Sequence, residues 1–238
     1  MLANPPTDSE HADGVVDLLG MLAYATLSGF FRLSADAAVA ESLPDKIALG
    51  EMAVTEYGHF RLLLGRLEQL NVDPDAAMRP FVPALDAFHA RTRPADWLEG
   101  LVKAYVGDGI SADFYRMIAD LLDPRTQTLV NEVLADTGHA DFVVVRVREA
   151  ITANPSVAGR LALWARRLVG EALGQAQRVA AEREALARLL SAGDAARAGD
   201  QRGKIGRMLA RITDANSGRM AALGLTSQST RVPPADRS

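Results

Sequence analysis

The stretch Glu56-Tyr57-Gly58-His59-Phe60-Arg61-Leu62-Leu63 lies inside a segment whose apolar residues recur at helical spacing. A second stretch, Leu134-Ala135-Asp136-Thr137-Gly138-His139-Ala140-Asp141-Phe142, repeats its plan: a carboxylate three residues before a histidine and a glycine one before it. The acid alone does not discriminate, because Asp8 and Asp86 precede His11 and His89 at the same spacing. Glycine and a mid-helix position do. With 30 acidic residues and 19 glycines in 238, chance would place both neighbours on two of the four histidines less than about once in a thousand such chains. On a helix, positions three apart share a face, so each tetrad offers a carboxylate and an imidazole in one direction. Mid-helix glycine costs about 0.5–1 kcal/mol relative to alanine, which suggests close backbone approach beside each histidine.

Working outward, the breakers are well separated and the segments between them keep helical period. A first helix is expected from about Gly14 to Ala40, with Val16, Leu19, Ala23, Leu27, Phe30 and Phe31 on one side. Ser42 and Pro44 then cap and open a second helix, which stops near Asn71-Val72-Asp73-Pro74. Residues 74–93, interrupted by Pro80 and Pro83, read as a broken connector. Pro94 opens a third helix that ends at Leu122-Asp123-Pro124, and a fourth runs to Asn154-Pro155. A fifth extends to about Leu190, weakened by Gly170 and Gly174, and a sixth is expected from about Asp200 to Leu223. The fold class is all-α. Residues 1–13 are expected to be disordered, 14–192 to form the helical domain, 193–224 a loosely attached basic helical extension, and 225–238 a disordered tail.

Composition agrees. Apolar residues make up 48% but aromatics only 5%, a palette of Ala, Leu and Val that favours helices over strands. The chain has no cysteine, which excludes disulfides, thiolate metal sites and cysteine nucleophiles and suits a reducing, cytoplasmic setting. Its N-terminal sequence has no secretory signal pattern, and the apolar run from Leu18 to Phe31 is short of the ~20 residues that cross a bilayer. A net charge of −4 argues against whole-surface nucleic-acid binding.

Helical bundles build two-metal carboxylate centres from an acid-x-x-His motif on two helices and a single carboxylate from each of two others. Carboxylate and imidazole together suit iron or manganese. In an antiparallel hairpin, residues at one level are equally far from the turn. Asp108 pairs this way with Asp136 about the break at Leu122, while Asp113 is a second choice about 140° round the helix. The same construction pairs Glu56 with residue 26, which is threonine; Asp17 and Asp36 are roughly 13–15 Å away along the axis. The candidate ligands are therefore Glu56, His59, Asp108, Asp136 and His139, one carboxylate short of a full set. The competing reading is a buried polar network in which each histidine is satisfied by its own acid.

At these residues the chain resembles the ferritin-like superfamily, and within it an actinobacterial branch similar to the tRNA 2-methylthio-N6-isopentenyladenosine hydroxylase. The resemblance runs from about residue 14 to 190, through VVDLLGMLAY (15–24), EYGHFRLL (56–63), KAYVGDGISADFY (103–115), LADTGHADF (134–142) and GRLALWARRLVGEAL (159–173). It implies a ferritin-like four-helix bundle with an added fifth helix, holding two irons that activate O₂ for hydroxylation of a modified tRNA base. Relatives carry a glutamate where Thr26 stands. One ion, two ions, manganese in place of iron, or no metal all stay open, and the alternative function is a scaffold without catalysis. Expected partners are a second copy in a homodimer and, by resemblance alone, tRNA; no membrane is expected.

Elsewhere the bland readings are preferred. His89 lies in the broken connector and reads as a surface residue. Tyr24, Tyr57 and Tyr105 read as core aromatics with satisfied hydroxyls, and Glu171 as a paired charge. The arginines from Arg160 to Arg219 are diluted by interspersed acids and read as a solvated face.

Overall fold

A computed structural model describes residues 8–116, 121–135, 139–192 and 201–225. Among them there are helices and no strand. The helix α1 spans Asp8–Val39 and α2 spans Leu43–Gln69. The connector folds as α3 (Pro74–Met78), a 3₁₀ turn at Arg79–Phe81, and α4 (Val82–Arg91). There follow α5 (Trp97–Arg116), α6 (Pro124–Val133), α7 (His139–Ala153), α8 (Val157–Glu182), α9 (Glu184–Ala192) and α10 (Gln201–Ala222).

Local chemistry explains the ends. Ser42 caps α2 by accepting from the Asp45 N–H at 3.2 Å, with Pro44 in the first turn as the sequence predicts. Past its other end, Asn71 takes φ 57°, the left-handed region that asparagine tolerates. Asp123 caps α6 by accepting from the Arg125 and Thr126 N–H groups. At the start of α5 the Asp96 carboxylate accepts from the Glu99 N–H while the Glu99 carboxylate accepts from the Ala95 N–H.

The structure corrects four sequence expectations. Helix α1 begins at Asp8, so residues 8–13 are helical; residues 1–7 lie outside the described ones. The fourth helix is two: α6 closes when the Leu134 and Ala135 N–H groups bond back to Val130 and Glu132, and α7 restarts at His139. The fifth divides at Arg183, whose extended backbone turns α8 into α9. Helix α10 is not loosely held: it packs on α5, buries Ile212, Met220 and Leu223, and pairs Arg219 with Asp113 at 2.7 Å. Residues 193–200 and 226–238 lie outside the described residues.

Helices α1 and α2 make the most extensive pairing in the molecule, and α5 packs against α7 and α8. By length and composition α1 is apolar enough to cross a membrane, but half of its most apolar window is buried within the bundle, as in a core helix. The core divides in two. One cluster gathers Leu18, Leu19, Leu63, Leu67, Phe81 and Leu186; the other gathers Leu49, Leu101, Val102, Val147, Leu161 and Leu168. Along α1 the first cluster holds Val15 to Ala23 and the second Leu33 to Ala40; along α2 the second holds Leu49 to Ala53 and the first Phe60 to Leu67. Thr26, Arg32, Glu56 and His59 fall in the interval between them.

Candidate metal centre

A cavity of about 570 Å³ occupies that interval. Thr26, Arg32, Glu56, His59, Asp108 and His139 all line it, so four of the five ligands expected from the sequence face one space. The fifth, Asp136, lies outside the described residues.

The hairpin register expected from sequence holds within a turn. A methyl group on Gly29 would sit 3.3 Å from Glu56 Oε2, so glycine leaves room for that carboxylate one turn from Thr26. Gly58 behaves otherwise. It is exposed, and no atom lies within 4 Å of where a methyl would go, so it does not mark close approach inside the bundle.

His59 Nδ1 is 3.9 Å from Glu56 Oε1, too far for a hydrogen bond, and is buried with no partner. The polar-network reading, in which each histidine is satisfied by its own acid, therefore fails at this tetrad. Burial, then the neighbouring Asp108 carboxylate, push the Glu56 carboxyl up to about 8, against the opposing pull of Arg32. Burial lowers the pKa of the His59 imidazole, favouring its neutral, metal-binding form.

Three neighbours were not read from the sequence. Arg32 projects from the otherwise apolar run Phe30–Leu33 and donates from a guanidinium nitrogen to His89 Nε2 at 2.6 Å. Because arginine only donates, His89 accepts at Nε2 and its proton is on Nδ1. Burial and the Arg32 and Lys103 cations hold the His89 pKa down at about 2, so the ring is neutral. This corrects the reading of His89 as a surface residue: it lines the cavity, and its Nδ1 is buried without a partner. Lys103, 6% exposed, donates to the Thr92 carbonyl at 2.6 Å, and burial with Arg32 lowers its pKa to about 7. Asp36, on the cavity wall against Gly100, offsets both cations. The signal for Arg32 was available: a lone cation in an apolar helical run needs a buried counterpart.

The other polar candidates are placed as follows. The Tyr24 hydroxyl donates to Asp86 at 2.6 Å, whereas Tyr57 is 42% exposed and corrects its core reading. Asp113, second choice as a ligand, is engaged by Arg219. Arg91 lies 3.8 Å from Glu171. Among the arginines, Arg160 pairs with Asp96 and Glu99, Arg183 with Asp17, and Arg188 with Glu184.

Do these residues fit two metals? The Thr26 hydroxyl donates its proton to the Leu22 and Ala23 carbonyls, at 3.1 and 3.0 Å, and being neutral brings no carboxylate charge to the cavity. Arg32 already supplies positive charge to Glu56, Asp108 and Asp36. Among the described residues no three of His, Asp and Glu form a closed ligand group. On the Glu56–His59 side an imidazole nitrogen lacks a partner, while Thr26 on the α1 side brings no carboxylate for a second cation.

The family model for the ferritin-like domain of actinomycetes matches residues 9–193, well over half of the chain. The chain belongs to that ferritin-like family. No curated protein matches it.

Proposed function

We propose that the protein holds one divalent iron or manganese ion at Glu56 and His59, with Asp108, His139 and Asp136 completing the donor set. The observation that carries this reading is the buried, unpartnered His59 Nδ1 beside a carboxyl that burial, and then Asp108, keep from ionising freely. Burying an imidazole nitrogen without a partner costs roughly 1–3 kcal/mol, and a cation removes that cost. When bound, the ion supplies Lewis acidity and, if iron, one-electron redox chemistry to a small molecule in the cavity. The chain's own residues set the conditions. Glu56 releases its proton as it becomes a ligand, and neutral His59 presents a lone pair. Arg32 holds the charge of the α1 side, where Thr26 offers no carboxylate, and apolar clusters flank the cavity on both sides.

The narrower expectation, hydroxylation of a modified tRNA base with O₂ and two irons, comes from the sequence resemblance and requires a second metal that Thr26 does not support. Calorimetric titration with manganese(II) tests the proposal. The native chain is expected to bind one ion, and His59→Ala to lose at least tenfold in affinity with its helical circular dichroism unchanged. Equal affinity in the two proteins would overturn the assignment.

A further inference from the structure

We propose that the outer face of the α1–α2 hairpin is a two-fold interface with a second copy of this chain. Nine large apolar side chains are exposed among the described residues, and seven belong to this hairpin: Phe31, Val39, Leu43, Ile47, Val54, Tyr57 and Leu62. On α2 they follow one stripe. Leu43, Ile47, Val54 and Tyr57 fall within about 80° of helix circumference, and Leu62 lies about 60° outside it. Phe31 on α1 joins them through ring contacts, Phe31 to Phe30 at 5.2 Å and Phe30 to Tyr57 at 5.2 Å.

Gly50, Gly58 and Gly65 lie on or beside the same stripe, and among the described residues nothing beyond the local helix backbone lies within 4 Å of a methyl placed on any of them. Small residues at these positions would let a second helix approach the stripe closely.

A second copy fits this face in extent and in charge. From Leu43 to Gly65 the stripe is about 33 Å long, and two adjacent helices are about 20 Å across. That is roughly 650 Å² per copy, or about 1,300 Å² in all, within the range of specific interfaces. An antiparallel α2 pairing centred on Val54 sets Val54 against itself, Gly50 against Gly58, and Ile47 level with Arg61. Arg61 then lies one turn from Glu51 of the other copy, twice by symmetry, so the one cation on the stripe meets an acid on its flank.

The absence of cysteine makes the test clean. In the full chain, Val54→Cys should form a disulfide-linked dimer on mild oxidation, while Val145→Cys, on an exposed site of α7, should not. Light scattering should give twice the 25.5 kDa chain mass for the native protein and half that value for Val54→Glu, with helical content unchanged. A native chain that stays at 25.5 kDa at high concentration would overturn the proposal, as would equal cross-linking of the two cysteine variants. A monomer that co-sediments with phosphatidylglycerol vesicles would also overturn it, assigning the face to a lipid surface.

Discussion

At Glu56, burial and the Asp108 charge oppose ionisation, Arg32 favours it, and the first two win, leaving the carboxyl near 8 against an ordinary 4.5. The folded, metal-free chain therefore binds a proton between pH 4.5 and 8 that the unfolded chain has released, and stability falls as pH rises through that window. Chemical denaturation of chelator-treated protein should show this loss, and Glu56→Gln, which stays neutral, should flatten it. An unchanged slope in the variant would show that Glu56 is not the group responsible. Glu56 and His59 were legible as a pair because three-residue spacing on a helix is local information. Arg32 and His89 were not, because their bond joins positions 57 residues apart, and that pairing exists only once α4 is docked beside α1.

Among the elements, α2 was read almost to the residue because its cap, its proline and its stop signal are all local. The divisions at residue 134 and at Arg183 were missed for a different reason. In both, helical apolar spacing runs on across the break, and a long-range partner decides the geometry at the second: Arg183 turns to pair with the buried Asp17. Glycines inside helices also divide by what they meet. A methyl on Gly20 would collide with the Ala77 carbonyl where α3 crosses α1, whereas Gly170 on α8 faces open space. Gly20→Ala should lower stability by about 2–3 kcal/mol through overpacking. Gly170→Ala should raise it by about 0.5–1 kcal/mol. Thermal melts of both variants check the pair, and similar shifts would mean that the α1–α3 approach is looser than described.

For the whole molecule, the determining arrangement is two apolar clusters with a polar interval between them. The helical class was legible from composition and periodicity. How the interval is charged was not legible. A cation from α1, a neutral histidine from α4 and a lysine from α5 converge there from widely spaced positions. The proposal of a single metal at Glu56 and His59 rests on that arrangement. Elemental analysis of protein loaded with ferrous iron under anaerobic conditions and then desalted tests this most directly. One iron per chain is the expected result; two per chain, or none, would contradict it.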